Sequence, residues 1–166
     1  MEFAVPLKTR LIPALLLGLV LSVPPLLAPV RALAQSAQPE RALVLVASAE
    51  SPLEAPENAR LRDAWLGQPV EINGLRLKPM RNLAQPQAEE VFLQKVMFMA
   101  RRRYERNVVL QVFSFGGTMP RSLETREQLE EKLREDPAAV TYMWANAAKD
   151  IPGIKILGEL WRGTID

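Results

Sequence analysis

The sequence predicts an α/β fold of three layers, with helices on both faces of a central sheet. The first indication is the run from Ala42 to Ala47, which is almost wholly apolar and has no helix signals, as expected of a strand buried on both faces. The second is the alternation of strand patterns with helical patterns along the chain. The third is Asn73-Gly74 between two runs of alternating apolar and polar residues, which predicts a β-hairpin.

Capping residues, helix breakers and apolar spacing define the other elements. Helices are predicted at 58–66, at 86–99, from 101 onwards and at 122–135. Strands are predicted at 70–72, 75–80, 139–143 and 154–157. Asn58 and Ser122 are predicted to cap the first and last helices, and Pro86 is tolerated in the first turn of the second. Five aromatic residues are predicted to lie in the core, namely Trp65, Phe92, Phe98, Phe113 and Phe115.

Residues 1–34 have the composition of a secretory signal peptide. A positively charged start precedes an apolar segment from Leu11 to Val23, and Ala32-Leu33-Ala34 is a small-x-small cleavage site. We therefore expect cleavage after Ala34 and a periplasmic or secreted protein with no stable membrane span. The alternative is an uncleaved membrane anchor, which Pro24-Pro25 disfavours because proline interrupts a spanning helix.

The expected mature chain is one domain without net charge. It divides into a flexible segment at 35–41, an α/β domain at 42–158 and a C-terminal tail at 159–166. The whole chain has 21 Lys and Arg against 19 Asp and Glu, and the leader carries the excess of two cations. Because the mature domain then has no basic surplus, nucleic-acid binding is not expected.

The residue types argue against catalysis. The chain has no histidine and no cysteine, so the usual nucleophile–base pairs, zinc sites and redox motifs are absent from the sequence. The pairs Glu89-Glu90 and Glu130-Glu131 lie on predicted helices, where adjacent side chains point about 100° apart, and are interpreted as solvated faces. We therefore predict no catalytic residue, no metal site and no cofactor.

One basic cluster, Arg101-Arg102-Arg103 with Arg106, has two interpretations. It could contact anionic lipid headgroups or an acidic partner. The favoured interpretation is a solvated start of a helix, partly paired with nearby acids.

Several different short motifs follow one another between Leu43 and Leu157. In chain order they are a helix end at 63–68, a strand pair ending in Arg81, an F-x-x-x-hydrophobic helix at 92–96, Phe115-Gly116-Gly117 before Pro120, the segment 136–143 and a strand at 154–157. Together they resemble the substrate-binding proteins of phosphate ABC transporters. Those proteins have the type II periplasmic binding protein fold, with two α/β lobes around a cleft. The resemblance implies a shortened member with a single lobe.

The resemblance also indicates where a ligand would bind. Phosphate-binding members have S-G-T at the start of a helix, where this chain has Gln85-Pro86-Gln87, and Pro86 lacks one of the backbone N–H donors. Arg81 is the anion ligand that the resemblance carries over, and an ordinary salt bridge is the alternative role for it. The candidate ligand-binding residues are Arg81, Asn82 and Gln87.

The resulting hypothesis is an exported, non-catalytic binding protein. It would bind a phosphate-like oxyanion weakly, because one lobe leaves the anion half solvated, unless a second copy of the chain or a partner protein completes the cleft. The alternative is an accessory domain that docks an envelope sensor or transporter protein and binds no small molecule.

Overall fold

The computed structural model describes residues 40–165. The signal peptide predicted at 1–34 and most of the flexible segment predicted at 35–41 lie outside the described residues. None of the helices within the described range combines the length and the apolar character needed to cross a membrane.

Within residues 40–165, seven strands form one mixed sheet and one hairpin. In chain order they are β1 (Arg41–Ser48), β2 (Glu71–Ile72), β3 (Leu75–Arg76), β4 (Lys78–Asn82), β5 (Arg121–Leu123), β6 (Ala139–Trp144) and β7 (Ile154–Gly163). The main sheet has the order β5-β4-β6-β1-β7, and β2 pairs with β3. Strand β4 runs parallel to β5 and β6, whereas β1 is antiparallel to both of its neighbours.

Helices cover both faces of this sheet, as predicted. They are α1 (Asn58–Trp65), α2 (Pro86–Val91), a π-helical turn (Phe92–Val96), α3 (Arg101–Phe115), α4 (Arg126–Glu135) and α5 (Ala145–Lys149). One hydrophobic cluster joins the sheet to α1, α2 and α3, and includes Trp65 and Phe92. The second joins the opposite face to α4 and α5, and includes Leu129 and Leu133. The three-layer α/β class is therefore confirmed.

Strand β1 is the central element of both clusters. Leu43 and Leu45 belong to the cluster on one face, and Val44 and Val46 belong to the cluster on the other. Because successive strand residues point to opposite faces, only a run without polar residues can be buried in this way. The apolar sequence of this strand is explained by its position between two helical layers.

The predicted hairpin is present, but its second strand is divided. Asn73 and Gly74 both have positive φ, 51° and 76°, as a two-residue hairpin turn requires. The pairing β2–β3 is short, and Lys78 then donates its backbone N–H to the carbonyl of Ala138 at 2.9 Å. The predicted strand at 75–80 thus leaves the hairpin and joins the main sheet as β4.

The helix predicted at 86–99 ends earlier than expected and changes from an α-helix to a π-helix. Pro86 occupies its first turn, as predicted. The last turn is π-helical, with the Met97 N–H donating to the Phe92 carbonyl at 3.0 Å. Phe98 has a φ of 55°, a left-handed value that stops the helix before the predicted end at Met99.

Both predicted helix caps are wrong: the structure places them one residue before Asn58 and three residues after Ser122. The carbonyl of Glu57 accepts the N–H of Leu61 at 2.9 Å, so α1 is capped at Glu57 and Asn58 is already helical. Ser122 lies in strand β5, and Thr125 caps α4 through a capping box with Gln128.

The prediction that all five aromatic residues lie in the core is wrong for three of them. Trp65 and Phe92 are fully buried, whereas Phe98, Phe113 and Phe115 are exposed. Phe98 precedes α3 and has a left-handed φ of 55°. Within α3 the buried residues are Tyr104 and Val108, whereas Phe113 lies on the opposite side of the helix and Phe115 is its last residue.

The segment 159–166 was expected to be a tail, but β7 continues through it to Gly163. Trp161 therefore lies within a strand rather than beyond the last one. It is half-buried against the core, with its ring 6.5 Å from that of Trp144.

Candidate functional site

The candidate site lies where β4 ends and the chain turns into α2. Asn82 is fully buried, and its side-chain amide donates to the carbonyl of Tyr142 at 3.0 Å. Its side-chain oxygen accepts the backbone N–H of Gln85 at 3.2 Å. These bonds join β4 to β6 and hold the turn that begins α2, so Asn82 has a structural role at the site.

Arg81 binds a carboxylate of this same chain. Its Nε and Nη2 donate to Oε1 of Glu89 at 3.2 and 2.5 Å. Glu89 is 0 % exposed, and the side chain of Arg81 is 14 % exposed. The guanidinium also lies over the ring of Tyr104, 5.1 Å from its centroid. Arg81 therefore forms the salt bridge that was the alternative to ligand binding.

Glu89 has two further partners. Arg101 donates through Nη1 to the same oxygen at 3.2 Å, from a side chain that is 47 % exposed. The hydroxyl of Tyr142 donates to the other oxygen, Oε2. Two guanidinium groups and one hydroxyl thus surround a single buried carboxylate, and this saturation is what permits its burial. We call Arg81, Glu89, Arg101 and Tyr142 the Glu89 cluster.

The electrostatics of the cluster keep its tyrosine neutral. Burial raises the pKa of Tyr142 well above its usual value, and the nearby Glu89 carboxylate raises it further. Burial lowers the pKa of Arg81, but the hydrogen bond and charge of Glu89 outweigh this effect and raise it overall. Tyr142 consequently remains a hydrogen-bond donor, and Arg81 remains a cation.

Gln87 does not join this arrangement. It is exposed, and its side-chain oxygen accepts a hydrogen bond from Nη1 of Arg41 at 3.1 Å. The structure thus brings Arg81 and Asn82 into one network through Tyr142 and places Gln87 outside it. A ligand-binding role for the three residues stays a prediction.

Sequence reasoning missed Glu89, which it assigned to a solvated helix face. The spacing contained a signal, because Glu89 stands three and seven residues before Phe92 and Val96 and therefore shares their buried face. Tyr142 was likewise considered only as part of the motif at 136–143 and not as a partner of Glu89. An acid within an apolar stripe, with an arginine nearby, is the pattern that would have indicated a buried ion pair.

An exposed apolar surface lies on α3, on the side away from the sheet. Arg102, Arg106, Val109 and Phe113 follow one another at helical spacing along it, and Leu110 is adjacent. Phe113 is 82 % exposed. We call these five residues the α3 surface. Its first half is cationic and its second half is apolar.

Comparisons with known proteins support the fold. No protein-family model matches the chain, and no curated protein matches it. Among solved structures, an ABC-type phosphate transport receptor from Vibrio cholerae matches with a TM-score of 0.53 and 11 % identity, over 73 % of this chain and 47 % of that one. PstS from Borrelia burgdorferi matches with a TM-score of 0.47 and 13 % identity, over 74 % and 48 %.

The chain spans about half the length of the receptors that it matches. At this level of identity the likeness concerns the fold alone. The mixed α/β fold of residues 40–165 is similar to that of part of a phosphate transport receptor.

Proposed function

We propose that this chain is an exported, non-catalytic binding domain in which Glu89 is the anion that Arg81 binds. The likeness of the fold to part of a phosphate transport receptor supports a binding domain, and the pairing of Arg81 with a carboxylate that is 0 % exposed supports the role of Glu89. A receptor for free phosphate needs its cationic ligand available to the solvent-borne anion. Here Nε and Nη2 of Arg81 already donate to Glu89, so free phosphate would be bound weakly.

The surroundings of Arg81 support weak binding. The pocket beside it has a volume of about 100 Å³ and is also lined by Ser122 and Glu105. A phosphate there would meet one acid as well as one partly neutralised arginine. It would also remain partly solvated, where each charge-assisted contact contributes less.

Calorimetry with inorganic phosphate tests this proposal. We expect the wild-type protein to show no dissociation constant tighter than about 10 μM. In Glu89→Gln the positive charge of Arg81 is no longer neutralised, so phosphate should raise the melting temperature of this variant. Phosphate should leave that of wild type and of the matched variant Glu90→Gln unchanged. A nanomolar affinity in wild type, or equal shifts in all three proteins, would contradict the proposal.

The α3 surface favours a second function, which is docking of a partner protein. Arg102 and Arg106 precede Val109, Leu110 and Phe113 on the same side of the helix. A surface of this kind is complementary to an apolar groove with acidic residues at one end. We take the occupant to be a protein with such a groove, for example an envelope sensor or transporter protein.

Photo-cross-linking from position 113 in cells of the native host tests docking. We expect a discrete protein adduct that is lost when Arg102 and Arg106 are both changed to glutamate, because the partner is acidic. A cross-linker at Glu131, an exposed position on α4, serves as the control and should give no adduct. Docking is refuted by the lack of an adduct, by an adduct that survives charge reversal, or by cross-links to lipid alone.

A further inference from the structure

A second cavity lies apart from the Glu89 cluster. It has a volume of about 350 Å³ and opens where the end of α1, the start of β4 and the last turn of α4 meet the segment 118–121. None of the residues of the Glu89 cluster lines it. The cavity faces the starts of β4 and β5, whereas Arg81 and Asn82 lie towards the end of β4.

The residues that line this cavity carry more positive than negative charge. Its lining includes Arg76, Lys78, Arg121 and Lys132 but only one carboxylate, Asp136. Asp136 is already paired with Lys78 at 2.6 Å, and Lys132 is paired with Glu135 outside the lining. Neither Arg76 nor Arg121 forms an ion pair with any residue from 40 to 165. Arg76 and Arg121 therefore have no ion-pair partner in this range, and the charge of Arg121 contributes, after the hydrogen bond from Lys132, to the lowered pKa of nearby Glu135.

The interior of the cavity is apolar. Ala64, Leu77, Met80 and Ala139 line it and are all buried. Ala64 lies in α1, Met80 and Ala139 lie in the main sheet, and Leu77 lies between β3 and β4. A ligand that used the whole cavity would have to place apolar atoms against them, since inorganic anions gain nothing from such a surface.

One wall of the cavity is held in place by glycines. Gly67 has a φ of +89°, and its carbonyl accepts the N–H of Thr118 at 3.0 Å. A Cβ at Gly117 would lie 1.8 Å from this carbonyl oxygen, so the close approach requires glycine. Thr118 is therefore held beside the end of α1, and this wall of the cavity is formed before any ligand binds.

We infer that this cavity binds a small organic anion that combines one anionic group with a compact apolar group. Arg76 and Arg121 bind the phosphate, sulfonate or carboxylate, and the apolar group packs on Leu77 and Met80. The volume is at the lower end of the range for small-molecule sites, about 300–1,000 Å³. This site is independent of the function proposed for the Glu89 cluster, and either can fail without the other.

Calorimetry with three probes tests the inference, using phenyl phosphate, inorganic phosphate and phenol. We expect phenyl phosphate to bind at least about tenfold more tightly than either of the others, because only it has both groups. The double variant Arg76→Gln/Arg121→Gln should weaken phenyl phosphate binding about tenfold. Both positions are exposed, so this variant should fold normally. Arg103→Gln, an exposed arginine on α3, should bind like wild type.

Three results would overturn the inference. The first is no binding of phenyl phosphate up to about 10 mM. The second is equal affinity in wild type and the double arginine variant, which would place the anion elsewhere. The third is phenol or inorganic phosphate binding as tightly as phenyl phosphate, which would mean that one half of the cavity contributes nothing.

Discussion

Replacing Glu89 with glutamine is expected to lower the free energy of unfolding by about 3 kcal/mol. The carboxylate is 0 % exposed and accepts hydrogen bonds from Arg81, Arg101 and Tyr142. Glutamine keeps the shape of the side chain but removes its charge, so the largely buried guanidinium of Arg81 loses its compensating anion. One amide oxygen also has to replace two carboxylate oxygens as acceptor. Urea denaturation of wild type and variant measures the difference.

Two control variants separate burial from charge. Glu90→Gln changes the adjacent, exposed residue and should alter the free energy of unfolding by less than about 0.5 kcal/mol. Arg101→Gln removes the more exposed of the two arginines and should lower it by less than about 1 kcal/mol, because solvent screens that pair. Equal losses in Glu89→Gln and Glu90→Gln would show that the cluster does not stabilise the fold.

Replacing Phe92 with alanine is expected to lower the free energy of unfolding by about 4 kcal/mol. Phe92 is 0 % exposed and lies in the π-helical turn. Its ring stacks on that of Tyr142, with 3.9 Å between centroids and planes 10° apart, and lies 5.2 Å from the ring of Trp65. Alanine would leave a cavity between these two fixed aromatic rings, which cannot move far enough to fill it.

Phe113→Ala is the matched control for Phe92→Ala. The same atoms are removed, but Phe113 is exposed on the α3 surface, so its loss should change the free energy of unfolding by less than about 0.5 kcal/mol. Thermal or urea unfolding of both variants gives the comparison. If Phe113→Ala were as destabilising as Phe92→Ala, the packing of α3 described above would be wrong.

Much of the fold could be predicted because it depends on local patterns. The burial of β1 on both faces follows from its lack of polar residues, and the hairpin follows from Asn73-Gly74. The burial of Leu129 and Leu133 in α4 follows from their spacing of four residues. Such signals depend on residues a few positions apart, which the sequence displays directly.

The candidate site was predictable only in part. The resemblance placed Arg81 at the end of a strand pair, and β4 does end there, at Asn82. Local patterns could not identify Glu89 as the partner of Arg81. The other groups that bind Glu89, Arg101 and Tyr142, come from α3 and β6, which are elements further along the chain. Several acids were equally near in sequence, and burial alone distinguishes Glu89 from its neighbour Glu90.

By itself, the sequence determined the α/β class, the central strand and the hairpin turn, because short-range periodicity and backbone preference specify these features. Tertiary structure decided which side chains are buried together. It buried Glu89 with Arg81, left Phe113 exposed, and brought Arg76 and Arg121 to one cavity. The physical reason is that burial and charge pairing depend on the distance between elements far apart in the chain, which the packing of helices on both faces of the sheet sets.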